Sequence, residues 1–179
     1  MKKLLFLPLI LIIAACGGDD YNDVYSTYAQ WRNENNQWIA EMAAERDTDG
    51  SLYYTKVVTP WNDNAYVLMH YFNDCDSTKE NLSPLFTSTV AVKYIGYLYN
   101  DTIFDSSYSN PDSLYYTTSA DVIPGWAIAL NAMHVGDSCD VIIPYEQAYY
   151  ANGAGVILPF SCLRFSMKLV DIPYYEIKP

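Results

Sequence analysis

The chain has 179 residues, of which 51% are hydrophobic and 17% charged, a globular composition with room for one sizeable core. Ten Lys and Arg residues stand against 21 Asp and Glu residues, so the formal net charge is −11. This acidic balance argues against nucleic acid or an anionic lipid surface as an electrostatic partner. The 18 tyrosines favour half-buried strands and amphipathic pockets.

Residues 1–15 have the pattern of an export signal. A basic pair precedes the apolar run Leu4–Ile13, which is shorter than the roughly 20 residues that a membrane-spanning helix needs. The string that ends at Cys16 resembles the lipobox of bacterial lipoproteins, whose cysteine carries the lipid. We therefore expect a lipid anchor at Cys16, in the cell envelope of a Gram-negative bacterium and at the outer membrane, on its periplasmic or surface face. The alternative is an ordinary secretory signal with a chance cysteine.

Three further cysteines remain if Cys16 is lipidated, namely Cys75, Cys139 and Cys162. An odd number allows at most one intramolecular bridge, and the spacings match no zinc motif. We interpret them as small core residues and expect neither a metal nor a cofactor.

Residues 16–50 are interpreted as a tether followed by an amphipathic N-terminal helix. Aromatic and apolar residues recur at helical spacings from Tyr21 to Met42, and Asp47–Gly50 has the composition of a turn. A single aromatic helix is marginal in water, so its stripe has to pack on something. Docking on the following domain and a homodimer seam through residues 21–42 both stay open.

From Ser51 onward the hydrophobic period becomes that of strands. The strands predicted are Leu52–Val58, Ala65–Phe72, Val90–Tyr99, Thr102–Asp105, Asp140–Ile143 and Leu163–Val170. Between them, turns are predicted at 61–64 and 100–101, and loops at 74–83, 106–112 and 145–154. Pro124–Met133 suits a short helix, since proline is tolerated in the first helical turn. Many antiparallel strands with one short helix predict an α+β domain.

Several common kinds of active site have no support in the sequence. There is no glycine-rich phosphate loop and no Gly-x-Ser-x-Gly nucleophile elbow. His70 and His134 lie in unrelated contexts, and neither belongs to a set of Cys and His residues that would complete a metal site. Both histidines are interpreted as structural.

Three groups of short strings do carry a functional signal. The first is Val92–Gly96 followed by Phe104–Ser107, the second is Val122–Trp126 followed by Met133–Gly136, and the third comprises Ile143-Pro144, Ala148-Tyr149, Gly153–Pro159 and Leu163–Phe165. In this order and spacing they resemble the FKBP-type peptidyl-prolyl cis-trans isomerases. The resemblance covers about residues 85–172, roughly half of the chain.

The resemblance implies a twisted antiparallel sheet wrapped on one short helix, with the active site between them. Residues 51–84 would then be extra strands and a loop leading into the domain at 85–172, and residues 173–179 a C-terminal tail. The implied catalytic residues are Tyr94, Phe104, Asp105, Ile123, Trp126, Tyr149 and Phe165. The implied substrate-binding residues are Val122 in the pocket wall and Val156 and Ile157 on a flap that closes over the peptide.

The function implied is prolyl isomerisation that assists the folding of exported proteins. Its partners would be proline-containing segments of client proteins, with a macrolide as a further ligand of the same pocket. Three departures from the family pattern favour an alternative, a catalytically weak binding module or chaperone of the same fold. They are a strand at Ser113–Tyr116 that is one residue short, Tyr150 where the family has glycine, and Leu158 where the family has proline.

Overall fold

The computed structural model describes residues 20–59 and 62–175. The predicted signal at 1–15 and the lipid site at Cys16 lie outside the described residues. The helices are α1 (Asp20–Thr27), α2 (Ala29–Ala44) and α3 (Pro124–Ala132). The strands are β1 (Thr55–Thr59), β2 (Asn62–Tyr71), β3 (Thr89–Leu98), β4 (Ile103–Ser106), β5 (Tyr115–Thr118), β6 (Ser138–Ile143) and β7 (Leu163–Tyr174). None of the described helices is long and apolar enough to cross a membrane.

All seven strands join one antiparallel sheet in the order β1-β2-β6-β7-β3-β4, with β5 also paired to β3. The central strand β3 alternates buried and less buried residues from Val92 onward, the period of two that a strand with a core face requires. It pairs with β7 from Thr89 to Leu98 and offers its other edge to β4 and β5. On that edge β5 pairs with Thr89–Val92 and β4 with Ile95–Tyr97, so both strands lie close to Tyr94.

Helix α3 lies on one face of the sheet and supplies the centre of the core. Pro124 occupies its first turn, and Trp126, Ala129 and Leu130 are buried against the strands. They pack in a cluster with Val67, Val92 and other apolar residues of β2, β3, β6 and β7. This arrangement, a sheet wrapped on one short helix, is the α+β fold that the resemblance implies.

Helix α2 packs on the domain through its aromatic stripe. The Trp31 indole N–H donates to Ser161 Oγ at 3.0 Å, and the Trp31 ring lies edge-on to Tyr99 with centroids 5.0 Å apart. Asn35 is fully buried and accepts the backbone N–H of Cys162 at 2.8 Å. Farther along the helix, Trp38 and its neighbours cover a second cluster around Tyr54, Leu68 and Ile142. Docking on the domain therefore accounts for the stripe from Trp31 to Met42, while a homodimer seam stays a prediction.

Several segments differ from the sequence-based boundaries. The N-terminal helix is interrupted at Tyr28, which separates α1 from α2. β1 begins at Thr55 rather than Leu52, and β2 begins at Asn62, where the sequence predicts a turn. The first three residues of β2 are polar and exposed, on both faces of the strand. No alternation of apolar residues therefore marks this part of the strand in the sequence. β7 continues to Tyr174 and pairs there with Thr89, so the predicted tail from residue 173 begins as strand.

The three described cysteines are all free thiols. Cys139 and Cys162 are completely buried, and Cys75 is exposed. Burial raises the pKa of the Cys162 thiol to about 12. Cys139 and Cys162 are therefore core residues, as interpreted, whereas Cys75 is not.

Candidate functional site

A pocket of about 370 Å³ opens between the start of α3 and the strands β3, β4, β5 and β7. Its lining contains all seven residues that the resemblance implied as catalytic, together with Val122. Two further lining residues, Tyr115 and Asp121, were not expected. Strands that are distant in sequence thus bring these side chains to one place.

The inner part of the pocket is a cluster of edge-to-face aromatic rings around Trp126. The indole is 4% exposed, and its ring centroid lies 4.9 Å from that of Tyr94 and 5.2 Å from that of Phe165, both nearly perpendicular. Phe104 stands edge-on to Phe165 at 5.6 Å, and Tyr115 edge-on to Trp126 at 6.1 Å. Such contacts lock the rings in place, so the apolar pocket is preformed.

Two glycines make this packing possible. A Cβ atom on Gly96 would lie 2.7 Å from the Phe104 ring and 2.9 Å from the Phe165 ring, so only glycine leaves room for both. A Cβ atom on Gly125 would lie 2.3 Å from Ile143, so glycine allows the start of α3 to approach β6 closely. Each of these glycines belongs to a string that carries the family resemblance.

A β-bulge aims two consecutive residues of β4 into the pocket. Gly96 pairs with Asp105 and the next residue of β3 pairs with Ile103, so Phe104 is the extra residue of the bulged strand. Consecutive residues of a regular strand point to opposite faces. The bulge breaks this alternation and re-aims the side chain, which lets Phe104 and Asp105 line the same cavity.

The polar rim is organised by Tyr94 and Asp105. The Tyr94 hydroxyl donates to Asp105 Oδ2 at 2.6 Å. Burial, and next the hydrogen bond to Asp105, raise the pKa of Tyr94 above its usual value, and burial likewise raises the pKa of Tyr149. Both phenols therefore remain protonated donors near neutral pH. The buried Ser107 hydroxyl accepts the Tyr94 backbone N–H at 3.0 Å, which fixes the strand behind the ring.

Ile123 lines the pocket at the entrance of α3. It is the residue just before the helix, and the N–H groups of a first helical turn have no intrahelical acceptor. Pro124 follows in the first turn, where its missing backbone N–H costs the helix no hydrogen bond. The rim also carries Asp121, whose carboxylate accepts the Thr118 hydroxyl at 2.7 Å. No lysine, arginine or histidine is among the described residues that line the pocket, so its rim is acidic.

Tyr115, from the segment Ser113–Tyr116 that departs from the family pattern, lines one wall of the pocket. It pairs with Val92 in the sheet, so it shares a face with Val92 and with Tyr94 two residues further on. Its ring lies 5.7 Å from that of Tyr94. The alternation of β3 is visible in the sequence, but the register of β5 against β3 is not. That register determines that Tyr115 is the residue of β5 that lines the pocket. Asp121 had a simpler signal, since it directly precedes the Val122-Ile123 pair.

The structure does not bring Val156 and Ile157 to the pocket. Ile157 is 6% exposed and packs in the main core, held by two backbone hydrogen bonds with Ala154. Val156 is 72% exposed at the tip of this turn. Ile157 is therefore a core residue rather than part of a flap surface, and closure by Val156 over a peptide stays a proposal.

Tyr150, one of the departures from the family pattern, adopts the backbone conformation that glycine favours. Its φ is 50°, in the left-handed region. Its backbone N–H donates to the Tyr145 carbonyl and its own carbonyl accepts the N–H of Phe160, so two backbone hydrogen bonds hold the residue in this conformation. Among the described residues, no three His, Cys, Asp or Glu side chains are grouped as metal ligands.

Comparison with known proteins connects this pocket to a family. The sequence model of the FKBP-type peptidyl-prolyl cis-trans isomerase family matches residues 83–170. An FKBP-type 22 kDa peptidyl-prolyl cis-trans isomerase of Escherichia coli is 42% identical over 94 residues, which cover 52% of this chain and 45% of that protein. The chain thus aligns with less than half the length of this relative.

Two solved structures extend the likeness beyond the aligned sequence. A peptidyl-prolyl cis-trans isomerase from Pseudomonas syringae has a TM-score of 0.64 and 25% identity, with 80% of this chain and 94% of that chain covered. FkpA of Escherichia coli has a TM-score of 0.70 and 22% identity, with 87% and 65% covered, and shares the fold. The match of the family's sequence model, the relatives and the lined pocket together show that residues 83–170 are a domain of the FKBP-type peptidyl-prolyl cis-trans isomerase family.

Proposed function

We propose that this protein catalyses the cis-trans isomerisation of X–Pro peptide bonds in client proteins. The observation that carries the proposal is the aromatic pocket, in which Trp126 is enclosed by perpendicular rings and all seven expected residues converge. No group in this pocket has to act as a nucleophile, because the reaction breaks no covalent bond.

The chemistry asks for a pocket that binds the twisted amide better than either planar form. Rotation about a peptide bond meets a barrier of about 18–20 kcal/mol because resonance stiffens the C–N bond. The prolyl ring would rest on Trp126, flanked by Tyr94, Phe104 and Phe165. These apolar walls exclude water from the amide, which disfavours the charge-separated resonance form and lowers the barrier.

Polar groups at the rim would hold the peptide on either side of the prolyl ring. The Ile123 N–H would donate to a substrate carbonyl, and the hydroxyl of Tyr149, which also lines the pocket, would be a second donor. Asp105, oriented by Tyr94, faces the amide that is being rotated. The carboxylates of Asp105 and Asp121 favour a cationic residue beside the proline.

A protease-coupled or NMR exchange assay on short X–Pro peptides tests this function. We expect isomerisation to accelerate with protein concentration, and kcat/KM to be higher when X is Lys than when X is Glu. A macrolide ligand of the family should compete for the same pocket. No acceleration with any X would contradict the proposal.

The second candidate is a binding module of the same fold with little catalysis. Tyr150 and Leu158 favour it, because they change the loop beside the pocket where the family pattern has glycine and proline. Tight binding of proline peptides without acceleration of the exchange would identify this function.

We further propose that the protein is anchored in the cell envelope through a lipid on Cys16. The lipobox-like string after an apolar run supports this, and two acyl chains hold a protein on a membrane far more stably than one, at about 0.8 kcal/mol per buried CH₂. Cys16→Ala should release the protein from membranes or leave it unprocessed, which fractionation and mass spectrometry would detect. Soluble native protein without lipid on Cys16 would overturn this proposal.

A further inference from the structure

A second cavity, of about 690 Å³, shares Val122 with the pocket described above. One wall is a face of α3 whose members recur every three or four residues, and the others are residues of β1 and β2, Phe86, the segment 119–122 and Gln147. We name it the α3 groove. It is lined by Val57, Val58, Thr59, Ala65, Phe86, Ser119, Ala120, Val122, Pro124, Ala127, Ile128, Asn131, Ala132 and Gln147.

The α3 groove is uncharged and largely apolar. Its lining includes no Asp, Glu, Lys, Arg or His among the described residues, although the chain carries a net charge of −11. Val58 is 41% exposed and Phe86 57% exposed, so apolar side chains stand open to water around it. A concave apolar surface of this size is typical of a ligand site.

Ser119 gives an independent sign of a missing partner. The residue is 1% exposed, and its Oγ is the one buried side-chain nitrogen or oxygen of the described residues that lacks a hydrogen-bond partner. Buried hydroxyls are rarely left unpaired, because losing water without gaining a partner costs stability. A ligand that brings a backbone carbonyl or amide to Ser119 would satisfy it.

We propose that the α3 groove binds a large apolar side chain of the same client segment whose proline enters the isomerase pocket. The two cavities adjoin, which favours this occupant. Val122 lines both of them, and the short segment from Ser119 leads from one to the other. An extended peptide advances about 3.3 Å per residue, so a chain that crosses Val122 brings nearby side chains to the groove. The inference rests on the proposed function and names a second requirement of its substrate.

Peptide binding in a defined series tests this subsite. Each peptide has one Ala-Pro step in a Gly/Ser background, with a single Phe placed two to five residues from the proline on either side, and the reference lacks Phe. We call each Phe position relative to the proline a register. We expect the peptide of one register to bind about tenfold more tightly than the reference peptide. NMR titration should then shift the amide signals of residues 127–132. Equal affinity in every register would overturn the proposal.

A filled groove provides the specific variant. Asn131 is exposed on the groove face of α3, so Asn131→Trp occupies the groove without entering the core. It should abolish the advantage of the best register and leave the reference peptide unaffected. Asn33→Trp makes the same change at an exposed position of α2 and is the control. A best register that survives Asn131→Trp would contradict the proposal.

Ser119→Ala separates a ligand contact from a structural role. Removing an unpaired buried hydroxyl should leave Tm unchanged or raised, and it should weaken binding of the best register several-fold. A lowered Tm with unchanged peptide affinity would show that Ser119 only supports the fold.

The same samples distinguish this inference from the proposed function. Turnover of the reference peptide without a favoured register refutes the subsite alone. Binding of a favoured register without any acceleration refutes catalysis and leaves the subsite standing. Sedimentation tests whether a second copy of the chain occupies the groove. A dimer that Asn131→Trp dissociates would assign the groove to self-association and overturn the proposal.

Discussion

At the scale of single residues, Gly96 is the position on which the aromatic pocket depends most sharply. Gly96→Ala would force the Phe104 and Phe165 rings apart, because a Cβ atom there overlaps both. Overpacking of this kind costs about 1–3 kcal/mol of stability. We expect Gly96→Ala to remain folded, with altered ring signals by NMR and a kcat/KM about tenfold lower.

Gly50→Ala is the control for this change. Gly50 has φ +87°, and a Cβ atom added to it would meet no heavy atom within 4 Å, so alanine there adds backbone strain of about 1–2 kcal/mol without a clash. It should lower stability and leave kcat/KM unchanged. Equal activity of both variants would show that Gly96 does not shape the pocket.

At the scale of elements, the attachment of α2 to the domain depends on Asn35. Its side chain donates to the Trp31 carbonyl and accepts the Cys162 N–H, each at 2.8 Å, and it is fully buried. Asn35→Ala should lower the free energy of unfolding by about 1–3 kcal/mol, because the Cys162 N–H loses its partner. Urea denaturation measures this, with the exposed Asn36→Ala as control.

The pocket should tolerate loss of this anchor. All of its lining residues lie outside α1 and α2, so folded Asn35→Ala should keep its kcat/KM on short peptides. Loss of activity in a fully folded variant would mean that α2 positions the site.

Sedimentation of the native chain tests the homodimer seam through residues 21–42.

Elements with a clear hydrophobic periodicity could be predicted from the sequence. Elements that depend on pairing with a distant strand could not. β3 and α3 were predicted within one residue, since alternation marks the strand and Pro124 marks the start of the helix. The polar beginning of β2 has no such pattern, and its first residue, Asn62, pairs with Thr59 of β1. The pocket residues came from the family strings, whereas Tyr115 depends on a strand register that no local pattern records.

At the scale of the whole molecule, buried tyrosines make stability depend on alkaline pH. Burial raises the pKa of Tyr54, Tyr71 and Tyr94 above the usual value near 10. A pKa that is raised in the folded state contributes stability that is complete below the unfolded pKa and is lost as pH rises toward the folded pKa. We therefore expect the free energy of unfolding to be flat up to about pH 9 and then to fall, by up to about 1.4 kcal/mol per pH unit for each such tyrosine.

Urea denaturation between pH 8 and pH 11 measures this dependence. Tyr71→Phe removes one of the ionisable groups and should make the decline shallower, although it also loses the hydrogen bond from Tyr71 to the Ala132 carbonyl. Tyr108→Phe, at an exposed position, is the control. A stability that stays constant up to pH 11 would contradict this account of the core.

Trp126 is proposed as the surface under a rotating prolyl bond, and a comparison of kcat/KM between two tryptophan variants tests this role. Trp126→Leu keeps much of the apolar burial and removes the flat ring, while Trp38→Leu makes the same change on α2, away from the pocket. With folding of both variants verified by near-UV circular dichroism, we expect kcat/KM on X–Pro peptides to fall at least about tenfold for Trp126→Leu and to stay unchanged for Trp38→Leu. A folded Trp126→Leu variant with undiminished activity on several X–Pro peptides would contradict the account.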